Sequence, residues 1–221
     1  MNCGLGSSDK QKNILKNLEA VSNKIKAKSK KIVLLKQVHG NKFYYIGKRS
    51  NLNNKFVGDA LVTDQKSLPI AVLTADCAPI LLYDKNKEMV AAIHAGWKGA
   101  YKDIIIKVVK FMLKKGCFSK NIIAAIGPCI STKNYQVREG FVKKFIKKDK
   151  KNIIFFKQTN NKNYFNLNKY VQFQLKSLNI KKIDTINKDT FNVKNNFFSA
   201  RRSIGRNESD YGRNISIIMI N

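Results

Sequence analysis

Residues 69–84 read PIAVLTADCAPILLYD. Two apolar runs flank a polar turn, TADCAP, which is the pattern of two short strands joined by a loop. On the C-terminal side, EMVAAIHAG (88–96) is a third apolar run, with His94 at its end. Behind it Tyr101, Ile104, Ile105, Val108, Val109 and Met112 recur at helical spacing. That spacing predicts an amphipathic helix over 100–115, closed by Gly116. On the N-terminal side, KFVGDALVTD (55–64) suggests a short strand pair, and KIVLLKQVHG (31–40) a strand ending at His39. Ile14, Leu15, Leu18, Val21 and Ile25 predict a helix over 10–30. Further on, NIIAAIGPCI (121–130) reads as a strand, 135–148 and 167–178 as helices, and 181–187 as a strand. A polar loop then leads to a last strand, ISIIMI (215–220). Strands and helices interleave with no internal repeat or linker, so the class is α/β or α+β in a single domain, 1–221.

The chain has 221 residues, 43% of them hydrophobic, which is enough for one sizeable core. Its formal charge is +29, carried by 37 lysines and only 6 arginines. Lys, Asn and Ile together make up 87 residues, so the bias is compositional and runs along the whole chain. The lysines spread from Lys10 to Lys194 without a helix-turn-helix, an aromatic RNA-binding signature or zinc-finger spacing. They read as a solvated surface, and a basic RNA-binding protein is kept as the non-enzyme alternative. The start, MNCGLGSSDKQKN, has no apolar stretch of a signal peptide, and no run approaches the ~18 apolar residues of a membrane span. Cys3, Cys77, Cys117 and Cys129 therefore read as reduced, and the protein as a cytoplasmic monomer.

His39, Cys77 and His94 share a position type: each ends an apolar run and is followed by turn residues. Three strand ends can meet at one sheet edge, and imidazole with thiolate suits Zn²⁺ with an open fourth position. The same residues could serve as a Cys nucleophile with a His base, or Cys77 could be core. Asp59 and Asp76 stand in strand-end motifs and are candidates to act on a substrate or to orient a ligand His, with turn capping as the alternative. Gly96 and Gly99 allow a close backbone approach. Trp97, the only tryptophan, either stacks on a ligand or covers the core. Arg201, Arg202, Arg206 and Arg213 fall within 13 residues of a chain that otherwise uses lysine. They suggest bidentate anion recognition, with the Arg201/Arg202 loop folding back to the cleft of His39, Cys77 and His94 to bind the substrate anion, or a local network with Glu208 and Asp210.

The stretches QVHG, GDALVT, LTADCAP, HAGWKG, AIGPCI and FFSARR, in that order, resemble the laccase-domain family. Its members are described as multicopper polyphenol oxidoreductases, purine nucleoside phosphorylases and a peptidoglycan editing factor. The resemblance implies a four-layer α/β/β/α fold with mixed sheets and one catalytic Zn²⁺, with copper as the older attribution. It implies His39, Cys77 and His94 as the metal ligands, and purine nucleoside with inorganic phosphate as substrates. Adenosine deamination is an attributed side activity, and hydrolysis of a mis-added amino acid from a muramoyl precursor is the alternative reaction. Four features depart from the family pattern: Lys98 in place of Arg, Ala200 in place of Tyr, Ala78 in place of Leu, and a start that resembles a segment normally preceded by a first strand.

Overall fold

A computed structural model describes residues 1–27 and 31–221. Along the chain, α1 (Gln11–Lys24) precedes β1 (Phe43–Ile46), β2 (Ala60–Thr63), β3 (Ile70–Thr74), β4 (Ala78–Asp84) and β5 (Met89–Ala95). Then come α2 (Trp97–Tyr101), α3 (Ile104–Lys114), β6 (Ile122–Ile126), β7 (Gln136–Val137) and α4 (Glu139–Lys148). The last elements are β8 (Phe156–Thr159), β9 (Lys162–Phe165), α5 (Leu167–Ser177), β10 (Lys182–Thr185), α6 (Ala200–Gly205) and β11 (Asn214–Ile218).

All seven residues of β5 are buried, which explains why this stretch is apolar without alternation. It is a central strand of a six-stranded sheet in the order β1-β2-β5-β4-β6-β10. The four inner strands pair antiparallel, and each edge strand adds parallel, so the sheet is mixed. Period-2 alternation sends Ala91, Ile93 and Ala95 to one face and Val90 and Ala92 to the other. On the first face they meet Ile104, Ile105, Val108 and Met112 of α3 and Tyr170, Val171 and Leu175 of α5. On the second they meet Ile70 and Val72 of β3, with Leu35 and Ile220. Strand β3 pairs antiparallel with β11 to form a second, two-stranded sheet. Each fully buried Leu, Ile, Val or Phe contributes roughly 1.5–3 kcal/mol. The molecule is thus a mixed α/β fold with mixed sheets, as the sequence predicts.

Five local readings change. Of the strand pair expected over 55–64 only β2 forms, and Val57 makes a single bridge. The helix expected over 10–30 ends at Lys24, and its last three residues lie outside the described residues. The strand expected over 31–40 makes only single bridges, Val33 to Ile70 and Lys36 to Val57. At Gln37 the side chain takes over the pairing, donating to the Leu73 carbonyl at 2.7 Å and accepting from its N–H at 2.8 Å. The helix expected over 100–115 is two helices, because Asp103 adopts φ 64° between α2 and α3. The helix expected over 135–148 starts at Glu139, after β7.

Candidate metal centre

The register around β5 assembles the centre. Ala60 of β2 lies opposite Ile93, and the His94 N–H donates to the Asp59 carbonyl at 2.8 Å. On the other side Pro79 of β4 lies opposite His94 and Ala78 opposite Ala95. Cys77 therefore arrives next to Gly96, in the loop where the chain crosses from the β3–β11 sheet to the six-stranded one. A Cβ at Gly96 would come within 2.8 Å of the Cys77 sulfur and 3.0 Å of the His39 ring. A Cβ at Gly99 would come within 2.8 Å of the Gly40 carbonyl oxygen. These two glycines let the loops close on one another.

Donor atoms of His39, Cys77 and His94 lie within 4.8 Å of one another. The two imidazoles meet edge to face, with centroids 4.7 Å apart. His94 is buried, Cys77 half-buried and His39 exposed, so the cluster opens on the His39 side. Burial pushes the Cys77 thiol up, but the charge of His94 and hydrogen bonds from His39 and His94 outweigh it and bring the pKa down to about 6. Burial pushes His94 down, and the Cys77 charge together with the Asp59 bond overcomes this and raises it to about 9. Thiolate and imidazolium stabilise each other, and a thiolate is the form that binds metal or attacks carbon. Two imidazoles and one thiolate fit a tetrahedral Zn²⁺ with one open position.

Asp59 holds this arrangement. Its carboxylate accepts from the backbone N–H of Val38 at 3.1 Å, His39 at 2.8 Å and Gly40 at 2.7 Å. It also accepts from His94 Nδ1 at 2.9 Å. A fully buried carboxylate facing Nδ1 fixes the proton there and would leave Nε2 as the nitrogen open to a metal once its own proton is lost. Burial alone would raise the Asp59 pKa, but the bonds from His94, Gly40 and His39 hold it below the ordinary value. The same bonds secure His39 in the left-handed region, φ 56°, a conformation that costs of order 1–3 kcal/mol.

Asp76 also has positive φ, 83°, and it works in the opposite direction. Its Oδ1 accepts from the Thr190 hydroxyl at 2.6 Å. Its Oδ2 accepts from the Ser199 hydroxyl at 3.0 Å and the Arg201 N–H at 2.6 Å. The Cys77 loop is thereby tied to the segment that leads into α6.

The four arginines of 201–213 do not share a site. Arg202 donates to the carbonyls of Thr190, Phe191 and Phe197 at 2.6–2.9 Å and is a tie within its own loop. Arg201 stacks on Tyr135 and Arg206 lies 3.9 Å from Glu208. Neither Arg201 nor Arg202 lines the cleft over the three donors, contrary to the expectation that their loop folds back there. Arg213 does. It pairs with Asp210 at 3.0 Å and lies on the Tyr211 ring. Its N–H donates to the Asn2 side chain at 2.9 Å, and its carbonyl accepts from the Cys3 N–H at 3.1 Å. The cleft measures about 760 Å³, within the ~300–1,000 Å³ of small-molecule sites. Leu5, Leu35, Phe56 and Leu73 supply apolar walls, and Lys36, Lys55 and Arg213 supply positive charge. Trp97 lies outside this cleft and packs on Phe141 with centroids 4.9 Å apart.

The family model described as multi-copper polyphenol oxidoreductase laccase matches residues 1–221. A protein of Rickettsia prowazekii named purine nucleoside phosphorylase is 34% identical over 192 residues, 86% of this chain and 78% of that protein. One of Rickettsia conorii with the same name is 35% identical over 216 residues, 93% of this chain and 86% of that protein. The hypothetical protein YfiH of Bacillus licheniformis superimposes with a TM-score of 0.90 at 24% identity, over 100% of this chain and 85% of that one. YlmD of Geobacillus stearothermophilus gives 0.86 at 23%, over 100% and 84%.

Proposed function

The chain belongs to the multi-copper polyphenol oxidoreductase laccase family, and from that premise we propose that it acts as a zinc-dependent purine nucleoside phosphorylase. The observation that carries the reading is the His39–Cys77–His94 cluster, with His94 oriented by Asp59, at the floor of a cleft sized for a nucleoside. The sequence has only 2 histidines, and among the described residues this is the one metal-competent cluster. A multicopper centre needs more ligands than that. The substrate class comes from the relatives named purine nucleoside phosphorylase.

In this reading His39, Cys77 and His94 hold the ion, and Asp59 keeps His94 in the ligating tautomer. A bound Zn²⁺ would supply charge stabilisation to the reacting groups. The apolar walls hold the nucleoside and exclude bulk water. Arg213, Lys36 and Lys55 hold phosphate so that its oxygen attacks the anomeric carbon. The C–N bond breaks with its electron pair leaving on the base, and the products are free purine and pentose 1-phosphate. Asp59 and Asp76 act as positioning residues, since their carboxylate oxygens accept the bonds described above. Deamination of adenosine is the side reaction proposed for the same centre. A cytoplasmic, monomeric protein completes the proposal; no helix among the described residues is long and apolar enough to cross a membrane.

The test pairs metal analysis with inosine plus phosphate as substrates. The reading expects about one Zn²⁺ per chain, release of hypoxanthine that requires phosphate, and loss of both metal and turnover in Cys77→Ser. Full activity of metal-free protein, abolished by alkylation of Cys77, would make the thiol a nucleophile and overturn it. Turnover of a muramoyl-amino acid precursor in place of inosine would move the activity to hydrolysis.

A further inference from the structure

A second pocket, of about 570 Å³, lies beside the centre but outside its cleft. Its lining includes Trp97, Tyr135, Arg138, Phe141, Lys144 and Arg201. Lysines are everywhere on this surface and carry little information. Arginines and tryptophan do carry it: two of the chain's 6 arginines and its single tryptophan meet here. No carboxylate lines the pocket. The only acid between 135 and 148, Glu139, is paired with Lys143 at 2.6 Å.

The cations are presented rather than neutralised. The Arg201 guanidinium is 5.4 Å from the Tyr135 centroid and gives one N–H to the Gln136 carbonyl at 3.1 Å. Its other side-chain donors have no partner among the described residues, and neither has the Arg138 guanidinium. The Lys144 ammonium lies 5.5 Å from the Trp97 ring and 5.1 Å from Tyr101. The first turn of α4, at Gly140 and Phe141, faces the same space and adds the positive end of its dipole. Guanidinium donors between aromatic walls, with no acid to satisfy them, match a phosphate dianion carried by a small ligand.

We propose that this pocket is an anion site distinct from the metal cleft, binding a phosphate group through Arg138 and Arg201 beside the Trp97 ring. It goes beyond the phosphorolytic reading, because its occupancy needs no turnover. Two ties join it to the centre. Trp97 follows Gly96, where a Cβ would clash with Cys77 and His39, and the Arg201 N–H bonds to Asp76, which precedes Cys77.

Trp97 makes the test direct, since it is the only tryptophan and tryptophan-selective excitation therefore reports on this pocket. Intact protein is titrated at constant ionic strength with inorganic phosphate, adenosine 5′-monophosphate and adenosine. A saturable change with phosphate and the nucleotide, and none with adenosine, is expected. If the natural source is a nucleotide, base stacking makes it saturate about tenfold or more below phosphate; if it is free phosphate, the two saturate alike. Arg138→Gln and Arg201→Gln each raise the half-saturation point about tenfold or more. Arg201→Gln keeps the backbone bond to Asp76, and Arg138 is exposed, so both variants fold. Arg213→Gln, in the metal cleft, leaves the response in place. No saturable response to either anion, or unchanged half-saturation in both pocket variants, overturns the proposal. So does an RNA oligomer that saturates Trp97 far below both small anions, which would make this a nucleic-acid surface. A failed phosphorolysis assay with an intact Trp97 response would sink the proposed reaction and leave this site standing.

Discussion

Asp59 and Asp76 are both buried, and each sits next to the three donors with its oxygens fully engaged. Asp59 spans 19 to 35 residues of chain, reaching Gly40 on one side and His94 on the other. Asp76 spans 114 to 125, reaching Thr190, Ser199 and Arg201. One carboxylate therefore shapes the donors themselves, and the other fastens the donor loop to a distant part of the molecule. The same side chain in the same neighbourhood does two jobs, and its acceptors' partners decide which.

That contrast can be broken by substitution. The largest effect belongs to Asp59→Ala, which leaves three backbone N–H groups without their acceptor and His94 without its partner. It should cost about 3–5 kcal/mol of stability, read as a lower urea midpoint; a loss under about 1 kcal/mol would show that Asp59 organises nothing. Next comes Asp59→Asn against Asp76→Asn, compared by competitive zinc titration. The first should weaken binding about 10–100-fold, and the second hardly at all. Equal losses would erase the distinction. Asp76→Asn should instead lower stability by about 1–3 kcal/mol and increase proteolysis between 186 and 199. The smallest effect is a pH one, at the carboxylate that pairs with Arg213. Asp210 accepts from the Ser8 N–H at 2.6 Å and from Arg213. Partial burial pushes its pKa up, and those bonds with the Tyr211 N–H bring it down to about 2. A lowered folded value means that its contribution is present above the unfolded pKa of about 4 and lost as pH falls toward 2. The stability gap between the protein and Asp210→Asn should close over that window; a gap independent of pH would assign the effect to shape.

The donors were legible because each is a rare residue type at the end of an apolar run. Asp59 and Asp76 were legible only as candidates, since which N–H each accepts depends on strand register and on a loop more than a hundred residues away. The break at Asp103 was hidden because the apolar spacing of Tyr101 and Ile104 continues across it. The β8–β9 hairpin carries its signal in the Asn160-Asn161 pair: both adopt positive φ, 51° and 55°, as a two-residue turn of the primed type requires. Arg213 could not be separated from its neighbours by composition. Four arginines in one stretch look alike, and only Arg202's three carbonyl partners and Arg213's place in the cleft tell a tie from a lining group.

The pairing of β3 with β11 and of Asn2 and Cys3 with Arg213 has a consequence for synthesis. Chains emerge from the ribosome N-terminal end first. All three donors and Asp59 are made by residue 94, yet the wall that Arg213 supplies and the strand that completes β3's sheet come more than a hundred residues later. A nascent chain therefore carries a thiol and two imidazoles with no finished cleft around them. The donor cluster is therefore complete in sequence long before its cleft is, and residues 213–218 turn an open cluster into a walled one.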